Sequence, residues 1–279
     1  MVSPLVFKRI QYHYEHFNET QMREYAVISL ATGTRYVQYW KDLVNSFKLS
    51  NVDFSNITFY ILTDDLSQCE TFAKEMGIYL KGYQIPSYGW PEATLLRYRE
   101  ILKIKQDVTE NIIIYLDADM LVQSDFLKTL SPISWINGIA LVSHPGYWRP
   151  TRLKAFLYYL KTPMQVLKDL FLIIRIGGLG SWERKNTSTA FVPRKLRRNY
   201  VCGGTWMGLR ASFFAMVDEC ALAVDLDLAR GFIAKWHDES HLNKWKSEHV
   251  VEVLSPSYCF DPTYKNLFGE RELIRAVRK

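Results

Sequence analysis

Two acidic clusters hold the residue types from which a reaction could be built. The first is Leu116-Asp117-Ala118-Asp119-Met120, at the end of the apolar run Asn111 to Leu116. Carboxylates two residues apart on an extended segment project to one side, so Asp117 and Asp119 can converge on one hard divalent cation, and that cation could clamp a diphosphate. The same pair also opens phosphotransferases of the haloacid-dehalogenase type, in which the first Asp is a nucleophile. Those require a small residue and Thr next, where Met120-Leu121 stands instead. A pair of solvated aspartates capping a turn is the bland alternative, weakened by the buried character of the strand before it.

The second cluster is Trp236-His237-Asp238-Glu239-Ser240-His241-Leu242-Asn243. His237 and His241 have the i, i+4 spacing of helical zinc ligands, but a zinc protease needs Glu directly after the first His, and Asp238 is there. Asp238 and Glu239 also suit a helix N-terminus, where the dipole favours anions.

The elements that position these clusters alternate in type. Tyr25 to Leu30, Ile57 to Leu62 and Asn111 to Leu116 are near-continuous apolar runs, as in strands covered on both faces. Between them, Tyr36, Tyr39, Trp40, Leu43, Val44 and Phe47 share one helical face, and helices are expected over Leu66–Met76 and Glu92–Lys105. Gly138 to Ser143 adds a strand, Val201 to Leu209 a Gly-punctuated segment, and Ala211 to Leu228 a helix. Such alternation predicts an α/β fold with a mostly parallel sheet, whose ligands lie at the carboxyl ends of the strands.

At 279 residues, with 48% hydrophobic and 14% aromatic residues, the chain can build a large core, which excludes disordered, collagenous and disulfide-miniprotein classes. Cys69, Cys202, Cys220 and Cys259 are too dispersed for a metal knuckle and suggest a reducing compartment. Near the N-terminus only Pro4 to Phe7 is apolar, far short of a signal or spanning segment, so a cytoplasmic protein is expected and the sequons at Asn18, Asn56 and Asn186 carry no weight. The net charge of +6 points to anionic partners. It is concentrated: Thr151 to Gly180 has five basic residues against one acidic, and Glu183 to Arg198 six against one. In the first stretch Lys154, Lys161 and Lys168 are seven apart amid Leu, Phe, Tyr, Met and Ile. Two readings stay open there: helices broken at Pro163 and packed on the sheet, or a face resting at the periphery of an anionic membrane. The second stretch reads as a mobile basic loop. Charge concentrated in these two segments suggests a membrane or lipid-phosphate surface rather than a nucleic-acid groove, and a non-catalytic basic membrane-binding module is the remaining alternative.

The Asp117–Asp119 motif, His144-Pro145-Gly146-Tyr147, Gly203-Gly204 followed by an aromatic residue and Gly208, His237 to Lys244, and Leu254-Ser255-Pro256-Ser257-Tyr258 ending in Asp261 together resemble glycosyltransferase family 6. That family contains the histo-blood-group A and B transferases and the α-1,3-galactosyltransferases. The resemblance runs from about Tyr25 to the C-terminus, and it implies one GT-A domain over residues 1–279, of the bacterial soluble type. The implied reaction is retaining transfer of N-acetylgalactosamine or galactose from a UDP-sugar, in α-1,3 linkage, to a galactose-containing acceptor.

The same resemblance assigns Asp117 and Asp119 to Mn2+ or Mg2+, and Glu239 to the nucleophile or to the carboxylate that steadies an oxocarbenium-like centre. Retention needs an anion opposite the leaving group in either case. It assigns Arg97 and Asp238 to the donor sugar, Ala31 and Tyr36 to the uracil site, and His144, Trp236 and Asp261 to the acceptor, with the indole as an apolar platform. Cys202 and Gly204, flanking Gly203, match positions that separate the two donor sugars, and a side-chain-free Gly204 favours the acetamido group. About thirty residues at 150–182 look like an insertion relative to mammalian members, a place for a lipid-linked or lipopolysaccharide acceptor to meet the protein. A basic tail at 269–279, with Arg271, Arg275, Arg278 and Lys279, matches the region that closes over the diphosphate.

Overall fold

The computed structural model describes residues 23–150, 152–264 and 271–277; part of the basic tail (269, 270, 278 and 279) and the N-terminal twenty-two residues lie outside them. The described residues open with β1 (Tyr25–Ala31), α1 (Thr34–Leu49), β2 (Ile57–Thr63), α2 (Leu66–Met76) and β3 (Leu80–Gln84). Two short helices follow, α3 (Glu92–Leu95) and α4 (Arg97–Lys103), then β4 (Ile112–Leu116), β5 (Met120–Val122) and β6 (Ile139–Ser143). Next come α5 (Arg152–Lys161), α6 (Pro163–Phe171) with a π-helical turn at Leu172–Ile176, β7 (Val201–Leu209) and α7 (Arg210–Ala229). The chain closes with α8 (His237–Glu248), β8 (Glu252–Leu254) and β9 (Ile274–Ala276).

Seven strands form one sheet in the order β3-β2-β1-β4-β7-β6-β8, parallel throughout except for β7, which runs antiparallel to both β4 and β6. Its two faces are covered as the continuous apolar runs require. One carries Val37, Trp40, Leu43 and Phe47 of α1, and the other Tyr98 and Ile101 of α4 with Phe213 and Val217 of α7. This mostly parallel sheet, flanked by helices, is a GT-A-like α/β arrangement.

The chain leaves β1 in one direction through β2 and β3, then returns to lay β4 on the other side of β1. A crevice at the carboxyl ends of β1 and β4 is the consequence, since consecutive crossovers diverge there. Asp117 is the first residue past β4, so the fold delivers the acidic pair to that crevice.

Local chemistry explains most of the element ends. Asp65 accepts a hydrogen bond from the Gln68 N–H at 3.2 Å to start α2, and Gly77 at φ 67° ends it in the left-handed region. The helix expected over Glu92–Lys105 breaks at Leu96 into α3 and α4. β3 (LKGYQ) has no apolar alternation, and it forms because it is an edge strand that finds β2.

The segment read as a mobile basic loop is a packed one. Glu183 accepts the backbone N–H of Arg184, Lys185 and Lys235, and Asp227 on α7 accepts Ser188 Oγ and the Thr189 N–H. Trp182, Val192 and Tyr200 close a small core around it. Arg184, Lys185, Arg194, Lys195 and Arg198 face water, but Glu183 and Arg197 are buried, and the polar and aromatic residues find partners about forty residues away, which local composition cannot reveal.

Candidate active site

Asp117 and Asp119 do not lie on an extended strand. The Met120 N–H donates to the Asp117 carbonyl at 3.1 Å, so both carboxylates spring from one turn between β4 and β5. β7 runs alongside, and its Gly204 carbonyl accepts the Asp117 N–H at 2.9 Å. Arg97, at the start of α4, sits in the centre of this arrangement, only 7% exposed. Its Nη1 lies 3.0 Å from Asp117 Oδ1 and 3.1 Å from Asp238 Oδ2, and donates to the Gly203 carbonyl at 3.2 Å. Tyr115 adds a hydrogen bond from its hydroxyl to Asp117 Oδ1 at 3.0 Å.

The second acidic cluster does begin a helix. Asp238 and Glu239 lie in the first turn of α8, where the dipole favours their charge. His237, just before them, holds a positive φ of 44°, a costly conformation for a side-chain-bearing residue. Glu239 is held at both oxygens: Oε1 accepts the Tyr200 hydroxyl at 2.7 Å and Oε2 the Gly203 N–H at 2.9 Å. Asn243, one turn on, donates to the Glu239 carbonyl and bridges to both backbone groups of Val201. Helix and strand are thereby locked together.

Gly203 is the contact point. A methyl there would lie 3.2 Å from Glu239 Cβ and 3.3 Å from Asp238 Oδ2, tighter than real side chains usually pack. At Gly204 a methyl would collide with Met120 Cε and come 3.2 Å from Asp117 Oδ2. The space beyond Gly204 is therefore not open; the flexible end of Met120 fills it.

Burial raises the Asp238 carboxyl to about 7, with Arg97 pulling it down and Asp117 and Glu239 pushing it up. For Arg97 burial opposes the charge, yet Asp117 and Asp238 outweigh it and hold the guanidinium well above its ordinary range. His144 is pushed down by burial, against the pull of Glu239 and Asp261.

The residues expected at the site fall into three groups. Arg97, Asp117, Gly203, Gly204, Asp238 and Glu239 meet directly. His144 and Trp236 flank them: His144 packs at 4.9 Å on Tyr147 and at 5.7 Å on both Tyr200 and Tyr264, while Trp236 is half exposed and donates its indole N–H to Ser181 Oγ. Arg275 lies on β9, which pairs with β5 directly after Asp119, and the Val277 N–H donates to the Asp119 carbonyl at 2.8 Å. The described part of the tail is thus stitched to the acidic turn. Tyr36 and Ala31 flank the turn into α1, where Gly33 accepts from Tyr36 N–H, but Ala31 is fully buried. Cys202 is buried beside Cys259 in the core, and Asp261 accepts the Thr263 N–H at 2.8 Å.

Sequence reasoning passed over Tyr200, Tyr115, Met120 and Asn243 as site residues. Only Asn243 carried a readable sign, lying one helical turn after Glu239. The tyrosines and Met120 act through strand pairing that spacing does not encode.

The zinc reading of the two histidines fails on geometry. His237 meets Thr94 Oγ1 at 3.1 Å and the Trp90 ring, whereas His241 points to Asp227 at 3.7 Å and Thr189. Burial lowers His241 to about 4, with Asp227 and Glu183 opposing. The unfolded chain, near 6.5, then binds the proton that the folded chain refuses. Stability from this group is complete above about pH 6.5 and is lost as pH falls towards 4, to a total of roughly 3 kcal/mol. Urea titrations of the parent and His241→Asn across that window should show the slope in the parent and its loss in the variant.

A parallel α/β half with an acidic turn at its switch point, faced by a helix-borne carboxylate across two glycines, belongs to the GT-A class of folds. Residues 179–279 match the family model described as Glycosyltransferase family 6. The histo-blood group ABO system transferase 1 of Rattus norvegicus is 25% identical over 249 residues, 88% of this chain and 62% of the relative. The globoside alpha-1,3-N-acetylgalactosaminyltransferase 1 of Canis lupus familiaris is 26% identical over 240 residues, 84% and 60% of the two chains. The O-antigen biosynthesis glycosyltransferase WbnI of Escherichia coli is 25% identical over 207 residues, 74% and 75%. Over residues 179–279 the chain is similar to glycosyltransferase family 6, and it spans about 60% of the length of these two mammalian relatives.

Proposed function

We propose that this chain is a retaining glycosyltransferase that moves N-acetylgalactosamine, or galactose, from a UDP-sugar in α-1,3 linkage to a galactose-containing acceptor glycan. The single observation that carries the reading is Glu239, gripped by Tyr200 and Gly203 directly across β7 from the Asp117 turn. A carboxylate so fixed can face the anomeric carbon from the side opposite the leaving UDP. There it either forms a glycosyl-enzyme bond or steadies the oxocarbenium-like centre while the acceptor's 3-hydroxyl oxygen replaces UDP on the original face.

The donor set fits a hard divalent cation. Among the described residues no group of three or more His, Cys, Asp and Glu gathers, and two carboxylates plus diphosphate oxygens and water is how Mg2+ and Mn2+ are usually held. Asp117 and Asp119 would hold it, and its charge would neutralise the departing diphosphate. Arg97 keeps Asp117 and Asp238 in place with its buried guanidinium, and Asp238, at the donor-facing side of α8, accepts hydroxyls of the transferred sugar. Tyr36 and the buried backbone around Ala31 would hold the uracil, with Arg275 near the diphosphate. His144, Trp236 and Asp261 would form the acceptor side, Trp236 supplying its exposed face to a sugar ring.

Donor choice turns on β7. Replacing Gly204 by Ala should penalise UDP-N-acetylgalactosamine against UDP-galactose by about 1–3 kcal/mol, roughly 5- to 150-fold in the ratio of kcat/KM, because the added methyl competes with Met120 Cε for the same space. An unchanged ratio removes Gly204 from the selectivity argument. The whole reading is tested by UDP release: expected is release from one of the two UDP-sugars with Mn2+ or Mg2+ and none with chelator, and no release from either defeats it. Four buried, unpaired cysteines support a cytoplasmic setting, with an acceptor carried on lipid at the inner face of the membrane.

A further inference from the structure

The apolar stripes of α5 and α6 face outward. On α5, Leu153, Phe156, Leu157 and Leu160 recur at the spacing of one helical face and are 51–73% exposed. On α6, Met164, Leu167 and Phe171 repeat the pattern and are more than half exposed, framing a shallow apolar groove. Amphipathic helices of a globular protein put this stripe on the core; here Tyr158 and Asp169 are buried instead. Lys154, Lys161, Lys168 and Arg175, seven residues apart, are all exposed among the apolar side chains.

The charge on this face is of one sign. Asp169, the only acid between Thr151 and Gly180, is turned inward and fully engaged. It receives Arg149 Nε at 2.6 Å, and Arg149 Nη2, the Tyr159 hydroxyl and Gln165 Nε2 each at 2.7 Å. Pairing with a second copy across a two-fold axis would bring the same all-cationic face against itself, which is repulsive. Among the described residues no helix is long and apolar enough to cross a membrane, so these side chains can enter an interface without spanning it.

We propose that the outward face of α5 and α6 docks on an anionic lipid bilayer. The apolar residues enter the headgroup boundary while the lysines reach lipid phosphates. Both ends of the arm are fixed beside the site. Arg149 leads from the His144 turn, Arg194 and Arg197 bind the carbonyls of Ile174 and Ile176, and Ser181 holds the Trp236 indole. Docking therefore brings the bilayer to the arm that follows the His144 turn and ends at Ser181, the partner of the Trp236 indole. This consequence, presentation of a lipid-carried acceptor, rests on the proposed glycosyl transfer; the docking does not.

The test is flotation of the full chain with phosphatidylcholine vesicles made with and without phosphatidylglycerol. Expected is binding that needs the anionic lipid and weakens as salt is raised. The triple variant Lys154→Gln, Lys161→Gln, Lys168→Gln should bind about a hundredfold more weakly, at roughly fivefold per cation. UDP release by the triple variant should equal the parent's, since these side chains lie on the surface. Phe156→Ser with Leu160→Ser should also weaken flotation. No flotation, equal flotation on both vesicles, or parent-like flotation of the triple variant overturns the proposal. So does a dimer by light scattering that the Phe156→Ser, Leu160→Ser variant abolishes, which assigns the face to a second copy. Flotation without UDP release would fail the enzymatic reading alone.

Discussion

Glu239→Gln should lower kcat and kcat/KM for transfer together by about a thousandfold, the scale of losing a positioned charge that acts in the transition state. The substitution tests charge and little else. The Gln amide can keep its oxygen on the Gly203 N–H, now accepted by Oε2, and present its NH2 to the Tyr200 hydroxyl, which accepts as readily as it donates. Fold and donor affinity should therefore survive, as read by the urea midpoint and by UDP titration calorimetry. Tyr200→Phe leaves the carboxylate charged but releases one of its two anchors. A hydrogen bond to a charged group contributes about 1.5–3 kcal/mol, so roughly a 10- to 100-fold loss is expected, again in kcat. If Glu239→Gln retained more than a tenth of the parent rate, the reaction would not need this anion.

Arg97→Met should be the most destabilising single change at the site, by about 3–5 kcal/mol at neutral pH, because it strands two carboxylates around a buried hole. The guanidinium lies 3.0 Å from Asp117 and 3.1 Å from Asp238, and Asp238, buried at least as deeply, already sits at about 7 with Arg97 present. Without it Asp238 must rise further, so ionising it costs more at high pH and nothing once it is protonated. The loss of stability should accordingly be smaller at pH 5 than at pH 8, and adding Asp238→Asn should restore part of it. Urea unfolding of the two variants at both pH values checks this. A pH-independent loss would assign Arg97 to packing alone.

Much of the crevice was legible in the sequence, because its chemistry sits at the ends of long, uniform elements. The run NIIIYL had to be a covered strand, and Asp117 follows it directly. The cluster from His237 to Asn243 could be read as a helix start because acids gather there. The family resemblance supplied the pairing of the two clusters, which spacing could not, since they meet through Arg97 and through Gly203 and Gly204 of a strand running against its neighbours.

What stayed hidden depended on tertiary contact. Tyr200 lies just past the segment read as a mobile loop, yet its hydroxyl anchors Glu239. Met120 looked like a spacer after the acidic pair and instead fills the space that Gly204 vacates. On α5 and α6 periodicity gave the helices and the stripe, but periodicity carries no direction. Only the burial of Asp169 and Tyr158 revealed that the stripe faces out.

The most direct test of the central claim is proton NMR of the product formed from an α-linked UDP-sugar, Mn2+ and a galactose-terminated acceptor. An anomeric proton with the small coupling of an α-linked residue at the galactose 3-position is the predicted result. A β-linked product, or a linkage to another hydroxyl, would contradict the account.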